Sequence, residues 1–266
     1  MKIDYQETSN DLLARIDIHK KYGRRDIDEW MLHVLNPQKG IKILDVGCGA
    51  GKQCFLFYKA LEGDAAITGG DVNQELLEKA RQEDAKIGNR IKFLDLDFNQ
   101  RFPIEDNQFD LLTSCFAIYY SEDIPFTISE MHRVTKPGGR LFTTGPMPEN
   151  KQLFYDIILE ATQKQIPPMP GSSRYSSLIY KTIQSLFSRV ELNIFENPLV
   201  FESVEPFLVY TRASLSEDRK LWKSLFEESG GFEQVMQQIQ AVADRRIAQD
   251  GKLVMTKVVG GFLATK

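Results

Sequence analysis

The stretch Ile43-Leu44-Asp45-Val46-Gly47-Cys48-Gly49-Ala50-Gly51 decides how this chain is read. A short apolar run ends in an acid and three alternating glycines, and Cys54 to Leu61 behind it has helical character. That is a strand-to-helix turn, where glycine lets the backbone approach a ligand and take positive φ without a Cβ clash. Asp45, just before the glycines, can accept a hydrogen bond from a ligand amine or orient the loop. Asp71 follows Gly51 by 20 residues, at the tip of the next strand, where a carboxylate can bind a ribose diol. The plain alternative is a tight turn that needs glycine for packing, with a surface acid nearby.

Two better-known loops do not fit. A dinucleotide fingerprint requires Gly or Ala at its sixth position, which here is Lys52. A Walker phosphate loop requires Gly-Lys-Ser/Thr, but Gly51-Lys52 is followed by Gln53, and no glycine stands five positions ahead of Gly51.

Working outward, strand and helix patterns alternate. Residues 11–36 read as one helix, with Ile27, Trp30, Met31, Val34 and Leu35 on one stripe, stopped by Asn36-Pro37 and Gly40. Ile41 to Val46 reads as a strand, as do Ala65 to Thr68, Ile91 to Leu94, Phe109 to Cys115 and Arg140 to Thr144. Between them Asn73 caps a helix reaching Lys86, and Ile124 to Val134 is a helix ended by Lys136-Pro137-Gly138-Gly139. This rhythm means βαβ units and a parallel sheet covered by helices on both faces. After Pro146 it changes. Lys151 to Gln165 is helix-like, residues 167–171 form a proline-rich break, and 173–188 is helical again. Val190 to Phe201 reads as a strand, 203–249 as all-helical, and Lys252 to Thr265 as a closing strand.

Bulk properties narrow the functions. The 266 residues are 42% hydrophobic and 26% charged, with a formal charge of −4, ordinary for a globular protein. The acidic balance and the lack of a basic patch argue against a nucleic-acid partner. No apolar run reaches membrane-spanning length, and residues 1–10 lack the basic-then-apolar pattern of a leader, so no membrane association and a cytoplasmic setting are expected. Three cysteines and three scattered histidines, without ligand spacing, give no metal site.

The glycine stretch resembles the first motif of class I S-adenosylmethionine-dependent methyltransferases, of the small-molecule-acting kind. Gly70-Asp71-Val72-Asn73 resembles the family's acidic second-strand motif. Leu96-Asp97-Phe98, followed by the segment from Arg101 to Asp110, resembles its third-strand stretch, and Arg133-Val134-Thr135-Lys136-Pro137-Gly138-Gly139 the approach to its fifth strand. These matches span roughly residues 40–145, in the family's order. The resemblance implies S-adenosylmethionine as cofactor and S-adenosylhomocysteine as product. Gly47, Cys48, Gly49 and Gly51 would face the cofactor's amino-acid end, with Asp45 near its amine. Asp71, beside Val72, would bind the ribose, Asp97 and Phe98 the adenine, and Cys115, Phe116 and Ala117 would line the pocket. Gly70 departs from the family, which more often has a branched apolar residue there, and leaves the adenine rim less packed.

The reaction implied is in-line methyl displacement, which alignment can largely drive; a base matters only if the acceptor holds a proton. Tyr119 and Tyr120 fall near the methyl by position, with one packing inward because adjacent side chains point apart. His19 is the candidate base, against the alternative of a satisfied or exposed histidine, and His132 reads as structural. The fold expected is a Rossmann-like doubly wound α/β domain whose mostly parallel, seven-stranded sheet ends on an antiparallel strand. It is organised as one methyltransferase domain. Residues 1–36 form a helical lid, 37–145 the cofactor-binding core, 146–171 and 203–249 cap insertions, and 172–202 with 252–266 complete the core. The function expected is methyl transfer to oxygen, nitrogen or carbon of a small-molecule metabolite; a cofactor sensor or scaffold is the alternative.

Overall fold

The computed structural model describes residues 8–166, 169–215 and 219–266. The sequence-predicted break at Pro167-Pro168 and the polar residues 1–7 lie outside them, as do 216–218 of the helical stretch.

Along the chain run α1 (Ser9–Tyr22), α2 (Ile27–Leu35), β1 (Lys42–Val46), α3 (Lys52–Ala60), β2 (Ala66–Asp71), α4 (Gln74–Ala85) and β3 (Lys92–Asp95). They are followed by β4 (Phe109–Cys115), α5 (Ile124–Val134), β5 (Thr135–Pro146), α6 (Gln152–Thr162) and α7 (Pro170–Ser173). The chain ends with α8 (Tyr180–Leu186), β6 (Arg189–Phe201), α9 (Val204–Ser214), α10 (Arg219–Glu228), α11 (Phe232–Asp250) and β7 (Leu253–Thr265). A wide-turned π segment, Arg174–Ile179, joins α7 to α8. The seven strands form one sheet in the order β3-β2-β1-β4-β5-β7-β6. The first five are parallel and β7 runs antiparallel to β5, so the sheet is Rossmann-like and doubly wound as expected.

The central strands read as unbroken apolar runs because both of their faces are covered. In β1, Ile43, Leu44, Asp45 and Val46 are buried in succession. The helices bury one stripe each: α5 turns Ile124, Thr127, Ile128, Met131 and Val134 inward at three- and four-residue spacing. Each fully buried aliphatic side chain is worth about 1.5–3 kcal/mol. The strand order reverses on either side of β1, where doubly wound sheets open a crevice at their carboxyl ends.

By compactness the chain has two units. One comprises residues 27–147, 171–195 and 259–266, and is here called the sheet unit. The other, the helical unit, gathers 1–26, 148–170 and 196–258. Its core is Phe154, Ile157, Leu199, Phe207, Trp222 and the α11 stripe Val235, Met236, Ile239, Val242 and Ala243.

Two expectations need correction. Residues 11–36 are not one helix: α1 stops at Gly23, whose backbone is extended at φ −74° and ψ 155°. Asn197 holds the break, its Oδ1 accepting from the amides of Arg24 and Arg25 (2.8 and 3.1 Å) and its Nδ2 donating to the Arg25 carbonyl. The partner lies 173 residues away, which local periodicity cannot reveal. Second, Lys136-Pro137-Gly138-Gly139 lies within β5, which begins at Thr135, five residues ahead of the predicted start. Gly138, at φ +74°, accompanies a register shift between Phe109 and Leu111 of β4, so the strand absorbs the turn as an irregularity.

Candidate functional site

The carboxyl ends of β1, β2, β3 and β4 bring the predicted cofactor residues together in the sheet unit. Gly47, at φ +75°, starts the loop after β1, and an added Cβ there would sit 2.5 Å from the Ala117 Cβ. Only glycine permits both the left-handed backbone and that close approach. Gly47 and Cys48 donate their amides to the Gly70 carbonyl at 2.8 and 3.0 Å, tying the loop to β2.

Asp71 closes the loop from the other side. Its Oδ2 accepts from the Gly49 amide at 2.7 Å and its Oδ1 from the Asn73 amide at 2.8 Å. Each carboxylate oxygen keeps capacity for a further bond. The neighbouring Val72 side chain is 60% exposed, an apolar surface at the rim. Gly70 leaves no gap there: a Cβ would meet Leu96 Cβ and Cδ1 at 2.9 Å, so Leu96, itself buried, fills the space expected to be loose.

Asp45 points inward. It is 1% exposed, its Oδ1 accepts from the Thr113 hydroxyl at 2.6 Å, and the Cys54 thiol lies 3.9 Å from Oδ2. Burial raises its pKa to about 6; the Thr113 bond works against this, while the charge of Asp71 adds to it. Its polar contacts are thus to Thr113 of β4 and Cys54 of α3. Cys48 and Cys54 are buried packing. Hydrogen bonding to Cys48, then burial, pushes the Cys54 thiol well up, and burial does the same to Cys115.

Asp97 folds its own turn, Oδ1 accepting from the Asn99 amide at 2.8 Å and Oδ2 from the Gln100 side chain at 3.2 Å. The Phe98 carbonyl accepts from Thr127 Oγ1 at 2.8 Å. Asn99 Oδ1 in turn accepts from the Glu122 amide at 2.7 Å, and Arg174 donates to the Ser121 carbonyl. Thr113, Asn99, Ser121 and Thr127 thus support the site without carrying any motif, and no sequence signal marks them. Phe116 takes φ +57° and is 38% exposed. A bulky residue in that region is strained, and such strain gathers at functional turns.

Tyr119 and Tyr120 stand in a single 3₁₀ turn, Ile118–Tyr120. Their rings approach to 4.6 Å rather than pointing apart, because the turn lacks the alternation of a strand. His132 packs edge-on against Phe187 at 5.0 Å. His19 belongs to the helical unit, 5.8 Å from the Tyr210 ring. Burial first, then the charges of Lys257, Arg15 and Lys151, lower its pKa to about 2, so it is neutral at physiological pH. In the same unit a depression of about 280 Å³ is lined by Lys164, Trp222, Leu225 and Glu228 and involves none of the predicted residues. Among the described residues no group of three potential metal ligands occurs, and no helix is long and apolar enough to cross a membrane.

Comparison with known proteins identifies the family. A family model described as a methyltransferase domain matches residues 37–230. A demethylmenaquinone methyltransferase of Staphylococcus epidermidis is 29% identical over 205 residues, covering 76% of this chain and 73% of the relative. Among solved structures, the YcgJ protein of Bacillus subtilis superposes with a TM-score of 0.58 at 16% identity, over 90% of this chain and 97% of its own. A SAM-dependent methyltransferase of Aquifex aeolicus gives 0.51 at 21% identity, over 68% and 90%.

Proposed function

This chain belongs to the methyltransferase-domain family, and from that premise we propose that it moves the methyl group of S-adenosylmethionine to an oxygen, nitrogen or carbon of a small molecule. The observation that carries this reading is the ring of groups around the strand-order reversal: the glycine loop, Asp71, Asp97 and Phe116, from four adjacent strand ends. The residues present suit the cofactor. Exposed apolar Val72 and Phe116 offer faces for an adenine, and Asp71 has acceptor capacity left for ribose hydroxyls.

When bound, S-adenosylmethionine supplies a methyl group activated by its sulfonium charge. The protein's part is to align and to enclose. Asp71 and the Gly70 carbonyl hold the loop through its amides, and a loop held by its own hydrogen bonds has less ordering cost to meet on binding. Asp45, held by Thr113, stands two residues ahead of Gly47 near the end of β1. Tyr119 and Tyr120 are proposed to border the acceptor side of the pocket.

Calorimetric titration with S-adenosylmethionine and S-adenosylhomocysteine tests the pocket, and binding of both is expected. Asp71→Ala should weaken both by roughly 1–3 kcal/mol, the scale of hydrogen bonds to a charged group; unchanged affinity in the folded variant removes Asp71 from the site. Mass analysis of products for one added methyl tests transfer. The name of the staphylococcal relative makes demethylmenaquinone the first acceptor to assay. Tight cofactor binding with no methylated product across acceptor classes would leave a sensor in place of an enzyme.

A further inference from the structure

We propose that Arg174 receives an anionic oxygen group, a carboxylate or a phosphate, carried by the methyl acceptor. The proposal rests on the methyl-transfer reading above and deepens it by naming a chemical class of acceptor.

Arg174 opens the wide-turned π segment, Arg174–Ile179. Segments of this kind are rare, and functional sites are where they often fall. Its neighbour Tyr175 fixes the segment against the end of β5. The Tyr175 hydroxyl donates to the Thr143 carbonyl at 2.7 Å, and a Cβ added to Gly145 would sit 2.5 Å from the Tyr175 ring. The same ring stacks on Phe262 at 4.8 Å. Just ahead of the segment, a Cβ added to Gly171 would meet the Tyr119 ring at 3.5 Å and Pro146 at 3.9 Å. Residues 171–175 therefore lie at the carboxyl end of β5 and beside the turn that follows β4, all within the sheet unit.

The guanidinium reaches that turn. Arg174 Nη2 donates to the carbonyl of Ser121, the residue directly after Tyr120. Ser121 is itself held, its hydroxyl bonded to Thr127 Oγ1 at 2.8 Å and its amide donating to the Ile118 carbonyl at 3.1 Å. At the other end of the same turn stands Ala117, whose Cβ leaves no room for one on Gly47 of the cofactor loop. The turn Ile118–Tyr120 thus runs from the cofactor loop to Arg174. An acceptor lying along it would have its reactive atom at one end and Arg174 at the other.

A guanidinium carries five N–H donors in a planar fork, and the Ser121 carbonyl engages one nitrogen of it. Arg174 is half-buried, yet among the described residues no carboxylate pairs with it. Burial lowers its pKa and no neighbouring acid raises it again, while arginine stays charged throughout. Arginine is rarely withdrawn from water without a partner. The part of the fork that remains matches two oxygens of a carboxylate or phosphate, which a neutral acceptor would leave unmet.

The test is titration of the full chain, saturated with S-adenosylhomocysteine, with inorganic phosphate and separately with acetate. The Arg174 Nε–H and Ser121 amide signals are followed by NMR. Saturable binding of one anion, with both signals shifting along one curve, is expected. Arg174→Met should weaken that anion roughly 10- to 100-fold, the loss of a charge-assisted bond. Arg174→Lys, which keeps the charge but not the fork, should fall between parent and Arg174→Met, and it covers the case in which the methionine variant does not fold. S-adenosylhomocysteine affinity without added anion should be unchanged in both variants. The anion that saturates at lower concentration separates phosphate from carboxylate. If the parent does not bind S-adenosylhomocysteine, the cofactor reading fails, and the same titration of the chain alone decides the role of Arg174. Absence of saturation by either anion, or equal anion affinity in folded Arg174→Met, overturns the proposal and leaves Arg174 as a tie between the π segment and Ser121.

Discussion

Asp45 shows how a buried carboxylate costs stability as it ionises. Its folded pKa, about 6, lies above the ordinary 3.8. The folded state therefore holds the proton more tightly, and stability falls as pH rises from about 4 to about 6, by up to roughly 3 kcal/mol. Asp45→Asn keeps an acceptor for Thr113 and removes the charge. Its melting temperature should exceed that of the parent at pH 8 and match it at pH 4; an advantage independent of pH would refute the burial account. Gly47 gives a second test. Gly47→Ala adds a Cβ 2.5 Å from Ala117 on a left-handed backbone, and overpacking alone costs about 1–3 kcal/mol. Cofactor affinity and melting temperature should both fall, and Ala117→Gly in the same chain should recover the steric part while leaving the backbone part. The paired variant separates the two in thermal melts.

Among the elements, the α1–α2 break is the place where local pattern and tertiary contact disagree. The apolar stripe of α2 is legible, since Met31 and Leu35 are fully buried where its spacing puts them. The stop at Gly23 is specified by Asn197, which is only 6% exposed and satisfies two amides and a carbonyl. Asn197→Ala would leave those groups unpaired, and a loss of about 1–3 kcal/mol is expected from chemical denaturation. A loss below the error of that measurement would show that water replaces the asparagine. The same reasoning explains β5, where Lys136-Pro137-Gly138-Gly139 looks like a turn alone but is carried inside the strand, because Thr135 and Arg140 on either side of it pair with Phe109 and Leu111 of β4.

For the whole molecule, the two units carry separate cores. The glycine loop, Asp71 and Asp97 fall in the sheet unit, and the core around Phe154, Trp222 and Ile239 in the helical unit. Ile239 is fully buried in the helical unit's core. Ile239→Ala should cost about 2–5 kcal/mol in stability yet leave S-adenosylhomocysteine affinity unchanged in the folded protein, as calorimetry would show. A matching loss of affinity would mean that the helical core helps to shape the cofactor loop.

The order of strands and helices, the glycine turn, the acid at the end of β2 and the acid after β3 were readable from the residues alone. Each rests on a local rule: periodicity for the elements, backbone freedom for the loop, and a short reach in sequence between Gly51 and Asp71. The tertiary structure decided what the site leans on. Thr113 beneath Asp45, Leu96 in the space beside Gly70, Ala117 against Gly47 and Asn197 at the helix break are pairings across long sequence separations. No single-residue propensity encodes such pairings, because they exist only once the sheet and helices have brought the partners together.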